Sequence, residues 1–473
     1  MISMGSPAIF ATEYDRSECR IGIVHVGYGA FHRAHQAVYV DDYMERTGDL
    51  DWGIAAVNLR NSESEAFADA AAATDGYLLK YTGTTAPTSW RMVRPHLAFC
   101  DWSREAEAAE SLVALDTVHA ITITVTESGY YLDDAGRLNT GDPVIAEEIA
   151  GGPRRSIFGY LAAALKRRHA AGAWPISVLC CDNIRGNGKM LRRSMLDWLE
   201  AAGDAELAAW VAAHVTFPCS MVDRITPRST PMLLDEAKAL FPDCAHSPVH
   251  SEDYIQWVLE DNFAATMPDL GRAGVEIVAD VDPYEEAKIR IPHGGHTGLA
   301  YLGALAGHAT FDEAMRDAVL RRHFDCLEQE EVLPGLQLEL PFDRSAYCHR
   351  VAERFANEAI ADALERICMD GFAKFPIFIR PTIEGCLAQG ITPRRCFESV
   401  ASWYVYARRS AENKTNIPYH EPNWHLLEPM LQAGREADFA TSSLLWGDLP
   451  DRYPGFANSI VNSIEEMDKT WPA

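Results

Sequence analysis

The stretch that most limits how this chain can fold is Ile21-Gly-Ile-Val-His-Val26 followed by Gly27-Tyr-Gly29-Ala-Phe31-His32. An apolar run suited to a strand gives way to a glycine turn and then to a helical pattern reaching about Arg46. Strand, turn and helix in that order commit the chain to packed α/β layers. Gly27 would make the tight turn, and Gly29 would let the helix start approach a phosphate closely. The third glycine of such a fingerprint is missing, since His32 stands there. Alone, the motif reads equally as a nucleotide loop or as an ordinary turn.

Later runs repeat the pattern. Trp52-Gly-Ile-Ala-Ala-Val57 reads as a strand and ends at Asn58-Leu-Arg60, one βαβ length further on. An acid at that strand end would bind the adenosine ribose hydroxyls. Asn58 and Arg60 stand there instead, so NAD is the expected cofactor with NADP left open. Val118–Val125 is rich in β-branched residues and runs into Thr126-Glu127. Ile176–Cys181 runs into Asp182-Asn183-Ile-Arg-Gly-Asn187-Gly188. Open α/β sheets put their sites at the carboxyl ends of strands, which favours Glu127 and Asn183. A plain loop or cap carboxylate is the other reading of Glu127.

Pro153–Ala171 and Lys189–Ala202 read as helices, and Gly274–Val281 as a strand. Phe217–Pro227 reads as a loop with a charged centre, and Tyr254–Asn262 as a short helix carrying Trp257. Beyond Thr297 the pattern is helical, with candidates at 312–330, 349–369, 380–390, 393–409 and 454–468. The expected fold is α/β. A Rossmann-like dinucleotide-binding domain spans 1–282, a mainly α-helical domain spans 283–473, and a site is expected in a cleft between them.

At the junction lies Lys288-Ile-Arg-Ile-Pro-His-Gly-Gly-His296. Proline disfavours a helical residue before it and suits a first helical turn. Lys288–Ile291 is therefore expected to be extended, with a helix from Pro292. A continuous helix kinked at Pro292 is the alternative. His293 and His296 then fall three apart on one helical face. Gly294 and Gly295 are expected to leave backbone open to a substrate or nicotinamide ring, tight helix packing being the other reading.

Composition excludes several classes. The 473 residues carry a net charge of -26, which argues against a nucleic-acid or anionic-membrane partner. No apolar run is long enough to span a bilayer. Met1–Asp15 lacks the basic start and apolar core of a signal peptide, so a cytoplasmic location is expected. The 11 cysteines include no C-x-x-C and read as free, buried thiols. No His/Cys spacing suggests zinc, so no metal is expected. The acidity and the long helices fit a monomer.

The junction pattern resembles the Lys-x-x-x-x-Asn-x-x-His signature of the polyol-specific long-chain dehydrogenases, the mannitol dehydrogenase family. Lys288 and His296 match, and His293 replaces the asparagine. Further matching segments are Gly27-x-Gly29-x-Phe31-His-Arg-Ala-His, Thr126-Glu127-Ser-Gly-Tyr130, Cys181-Asp-Asn183-x-x-Gly-Asn-Gly188, Met221-Val-Asp223-Arg-Ile-Thr-Pro227 and Arg366-Ile-Cys-Met-Asp-Gly371 with Lys374-Phe-Pro376. Pro283–Arg290 and Thr124–Glu127 look nearest to the D-mannitol and D-arabinitol branches.

The resemblance implies NAD(P)-dependent, metal-free oxidation of a secondary alcohol of an acyclic polyol to a ketose. It makes Lys288 the general base and Asn183 one of two donors to the reacting oxygen, with His293 in the place of the second. It gives His296 the task of orienting substrate and sets Asp223, Arg366 and Lys374 near the polyol. Glu127 would pass the proton to water, and Gly27, Gly29, Phe31, Asn58 and Arg60 would hold the cofactor. A free lysine has a pKa of about 10.4, so a basic Lys288 calls for burial or for like charge from Arg366, Lys374 or Arg290. Losing one oxyanion donor typically costs about 3 kcal/mol. His293 must therefore still donate, shift the substrate preference, or impair the site. Two rivals stand. One is a sugar-acid oxidoreductase, using Arg290 or Arg380 as an extra cation. The other is a noncatalytic nucleotide-binding protein, favoured only by His293.

Overall fold

Six runs of small and β-branched apolar residues pair side by side as one parallel sheet. They are β1 (Ile21–Val26), β2 (Gly53–Asn58), β3 (His96–Asp101), β4 (Ala120–Ile123), β5 (Ile176–Cys180) and β6 (Val215–Thr216). The order across the sheet is β3-β2-β1-β4-β5-β6, all parallel. This is the doubly wound dinucleotide-binding order, with its switch point between β1 and β4. β2, β4 and β5 are buried along their whole length, as strands covered on both faces must be. Helices Ile157–Ala170 and Asn187–Ala201 pack one apolar layer, and Gln36–Thr47 joins another.

The computed structural model describes residues 9–73, 75–83, 87–133 and 135–471. Residues 1–8, which carry part of the N-terminal reading, lie outside them. The chain divides into two compact units, Met1–Asp282 and Pro283–Ala473.

Two smaller sheets complete the first unit. Ile9–Ala11, Ser89–Val93, Tyr77–Thr82 and Val249–Glu252 form one of them. Ser220–Asp223, Gln256–Glu260 and Glu276–Val278 form the other. Two expectations fail here. The segment 217–227 is not all loop, because Ser220–Asp223 pairs antiparallel with Gln256–Glu260. The expected helix over 254–262 is that second strand. Trp257, Val258 and Leu259 are all buried, so the run has no polar face, and a short apolar run cannot announce helix or strand by period.

The second unit is helical and is built around Arg394–Ala411, which is buried over most of its length. Gly294–Leu305 and Phe456–Thr470 pack against it, with Trp403, Tyr404 and Trp446 fully buried in the shared core. The helix expected at 312–330 breaks at Asp317, whose carboxylate accepts from the N–H groups of Val319 and Leu320 and starts a new helix. The one expected at 349–369 is two, Arg344–Phe355 and Leu364–Ile367, separated by a turn with Ala361 at φ +47°.

At the junction the expected extended Lys288–Ile291 fails, and the alternative of a continuous helix is nearer. Helix Asp282–Lys288 runs directly into a π turn, Ile289–His293, and on into Gly294–Leu305. Lys288 itself is helical, with φ −64° and ψ −42°. The Gly294 N–H reaches five residues back to the Ile289 carbonyl. A π turn widens the helix, so Pro292, which lacks an N–H, is accommodated without breaking it.

Candidate active site

In the first unit, β1 is followed by Gly27, whose φ of +98° suits glycine. A side chain there would collide with the Thr124 carbonyl. Gly29 caps the short helix Ala30–Ala34, and nothing stands within 4 Å of where its Cβ would be. The turn is tight at Gly27 and open at Gly29, beside the β1/β4 switch point, which fits the pyrophosphate of a dinucleotide. Phe31 stacks on His35 with ring centroids 4.9 Å apart.

His32 fills the place of the missing third glycine. Its ring stacks 3.3 Å from that of His25, and its Nε2 lies 2.9 Å from His96 Nε2. His25 in turn bridges Thr122 Oγ1 and the Gly27 carbonyl, both at 2.7 Å. Burial pushes the His25 pKa down to about 3 and those of His32 and His96 well below the usual value. Neutral, stacked imidazoles thus brace the turn from beneath.

At the end of β2, Asn58 is buried. Its Nδ2 donates to the Arg60 carbonyl at 2.9 Å, and its Oδ1 accepts from the Arg60 N–H at 3.3 Å. The Arg60 guanidinium meets Glu63 at 3.2 Å and the Val125 carbonyl at 3.3 Å. The adjoining strand end does carry an acid. Asp101 of β3 is in register with Asn58 and accepts from the Ser103 N–H and hydroxyl at 3.0 and 2.6 Å.

β4 stops at Ile123, two residues before the expected end, and Thr126 adopts φ +70°. Asp182, at the end of β5, accepts from the backbone N–H of Val125 at 2.9 Å, from that of Thr126 at 3.0 Å and from the Tyr130 hydroxyl at 2.6 Å. It thereby ties the turn carrying Glu127 to the loop carrying Asn183, and both of these residues are exposed. Asn187 extends the tie. Its Nδ2 donates to the Asp182 carbonyl at 3.1 Å and to the Ser220 carbonyl at 2.9 Å, and its Oδ1 accepts from the Ser220 N–H at 2.9 Å. Ser220 opens the strand that ends at buried Asp223. Asp182, Asn187 and Asp101 had no role in the sequence reading. Asp182 and Asn187 lie in the Cys181–Gly188 segment noted above, with no task attached to them, and nothing in the sequence singles out Asp101.

In the second unit, Lys288 is buried at the last residue before the π turn. His293 closes that turn, its ring edge-on to Phe378 at 5.1 Å. His296 stacks on Phe355 at 4.9 Å, meets Phe311 at 4.4 Å, and points Nε2 at Asp362 from 3.7 Å. Asp362 also takes the Arg366 guanidinium, with Nε to Oδ1 at 2.8 Å. Burial pulls the His296 pKa down to about 4; Asp362 opposes this, and Arg366 and Lys374 add to it. Lys374 donates to the Ile367 carbonyl at 2.9 Å, and burial lowers its pKa too. His296, Asp362 and Arg366 thus form one cluster. Arg290 is buried, bonded to Glu286 at 3.1 Å, Thr382 at 2.9 Å and the Gly335 carbonyl at 3.2 Å.

The expected open backbone at Gly295 is a correction. A Cβ there would strike Glu328 Oε1 and come within 2.7 Å of Phe324, so this glycine serves tight packing between helices. Among the described residues no group of three His, Cys, Asp or Glu side chains could hold a metal ion. No described helix is long and apolar enough to cross a membrane.

Comparison with known proteins adds the following. The mannitol dehydrogenase Rossmann domain matches residues 21–272, and the mannitol dehydrogenase C-terminal domain matches 280–468. A D-arabinitol 4-dehydrogenase of Ralstonia nicotianae is 39% identical over 78% of this chain and 80% of its own length. A mannitol 2-dehydrogenase of Cereibacter sphaeroides is 34% identical over 92% and 91%. Among solved structures, the Pseudomonas fluorescens mannitol 2-dehydrogenase ternary complex with NAD and D-mannitol is 33% identical. It superposes with a TM-score of 0.83 over 98% of this chain and 95% of that one.

Proposed function

The chain belongs to the mannitol dehydrogenase family, and we propose from this that it is an NAD-dependent enzyme interconverting an acyclic polyol, of the mannitol or arabinitol type, and its ketose. The observation that carries the reading is Lys288, a buried amine on a helix whose next turn is π-type. Single π turns inside helices recur at functional sites. NAD, when bound, supplies the acceptor for the hydride that leaves the carbinol carbon. The Gly27–Gly29 turn at the switch point would hold its pyrophosphate, with Phe31 beside the turn and Asn58 and Arg60 at the strand end that would take the adenosine ribose.

Lys288 takes the hydroxyl proton as general base. Asn183 donates an N–H to the oxygen as negative charge develops there. His293 gives the second donor, since an imidazole keeps at least one N–H in either protonation state. His296, held neutral by burial, fixes a substrate hydroxyl through its ring nitrogen. Asp223, Arg366 and Lys374 bind the outer hydroxyls. Glu127, exposed at its turn, passes the proton from Lys288 to water. No metal takes part, so chelation leaves turnover unchanged.

The pairing of Arg290 and Arg366 favours a neutral substrate over a sugar acid; Arg380, the other cation a sugar acid could use, donates to the Leu445 carbonyl at 3.2 Å. Arg290 is already matched by Glu286, and Arg366 by Asp362, so a substrate carboxylate would compete with resident ones. The test is a screen of polyols and aldonates with NAD and with NADP, followed by the absorbance of the reduced nicotinamide. The expected result is reduction of NAD by D-mannitol or D-arabinitol. Turnover of aldonates alone moves the enzyme to sugar acids, and turnover of neither leaves the noncatalytic reading.

A further inference from the structure

Asp182 has no part in the chemistry above, yet its carboxylate collects three donors from a single turn. We infer that Asp182 is a positioning residue for the reaction, holding the Thr126–Glu127 turn and the adjacent Asn183 in working geometry. The inference rests on the proposed roles of Glu127 and Asn183.

The need for such an anchor follows from where β4 ends. Ladder bonds along this edge run as far as the Thr124 N–H, which donates to the Val26 carbonyl. The next two N–H groups, of Val125 and Thr126, have left the sheet, and the Asp182 carboxylate takes them over at 2.9 and 3.0 Å. Thr126 sits at φ +70°, which a β-branched residue adopts only where its surroundings impose it. The third donor, the Tyr130 hydroxyl, closes the same turn from its far end and also lies 3.0 Å from Cys180 Sγ. Glu127 is thus enclosed within a segment fixed at Val125, Thr126 and Tyr130, while its own side chain is exposed.

Asp182 is fixed in its turn, since its carbonyl accepts from Asn187. The same short loop therefore sets the direction in which Asn183 leaves the strand. The acceptor must be a carboxylate. An amide in its place would set an N–H₂ against one of the backbone N–H groups, because only one of its two ends accepts. A site held in this way gains precision from its supporting shell, and displacement of a reacting group by about 1 Å can cost roughly a hundredfold in rate.

The test compares Asp182→Asn, Tyr130→Phe and Glu127→Gln by kcat, polyol KM, NAD affinity and the pH profile of kcat. Asp182→Asn is expected to lower kcat by about ten- to a hundredfold, with NAD affinity within about twofold. It should also displace the pH profile in the direction that Glu127→Gln does. A purely structural role would leave that profile in place. If Glu127→Gln lowers kcat and Asp182→Asn does not, the inference is overturned and the mechanism stands. If Glu127→Gln leaves both kcat and profile unchanged, the relay role fails, and the inference with it. Should Asp182→Asn not fold, Tyr130→Phe decides. The same displacement, smaller, supports the inference, and a wild-type profile overturns it.

Discussion

In the first unit Glu127 and Asn183 stand on loops leaving a buried parallel sheet. In the second, Lys288, His293 and His296 ride one helix through a π turn. The loops are kept in place by a few directed hydrogen bonds centred on Asp182 and Asn187. The helix is kept in place by shape, with Gly295 pressed against Glu328 and Phe324, and the His296 ring against Phe311 and Phe355. Changes at the strand ends should therefore act on rate with little effect on stability. Changes to the helix's packing contacts, as at Gly295, should act on stability first.

Among the variants that test this contrast, Asn183→Ala gives the largest expected effect. It removes an oxyanion donor and should lower kcat by about 10²- to 10³-fold. Asn183 is exposed, so the melting temperature should barely move. Steady-state kinetics beside a thermal melt check both halves, and a large drop in melting temperature would blur the contrast between the units. Gly295→Ala should do the reverse. The added methyl overpacks the contact with Glu328 and Phe324. It should cost about 1–3 kcal/mol of stability, seen as a lower melting temperature. An unchanged melt would show that this helix has room to spare.

His293→Asn restores the family residue and should change turnover by less than about tenfold, a smaller step than losing a donor outright. A gain of several hundredfold would show that His293 damages the oxyanion site. The smallest effect concerns His296, held down to about 4 against about 6.5 for a free histidine. Between these values the unfolded chain binds the extra proton, so stability is full above about pH 6.5 and falls as pH drops towards 4. From about pH 7.5 to about 5.5 this share amounts to roughly 1 kcal/mol. His296→Gln lacks it. Wild type should lose more melting temperature over that interval than the variant, and equal losses would contradict the account.

The parallel sheet was legible because β1, β2 and β5 are short apolar runs, each followed by polar or glycine-rich residues. The helix through Lys288 was legible only as an alternative, and its π turn was not. The local rule for proline predicted an extended Ile291, and the rule was overridden by a π turn that depends on packing within the helical unit. Strand Gln256–Glu260 was misread because Trp257, Val258 and Leu259 are apolar on both faces. Asp182 could be seen in the sequence but not assigned, because the groups it binds lie more than 50 residues away along the chain. Glu328 was equally silent, since only the fold brings its carboxyl against Gly295. The helix 349–369 was split by a left-handed Ala361, which no propensity foretells.

The most direct test of the central claim is Lys288→Ala, assayed for reduction of NAD by the polyol that the screen identifies, with NAD binding measured on the same preparation. A lost general base predicts a fall in kcat of about 10²- to 10⁴-fold, with NAD binding retained. Near-normal turnover in the folded variant would contradict the assignment of Lys288 as the base.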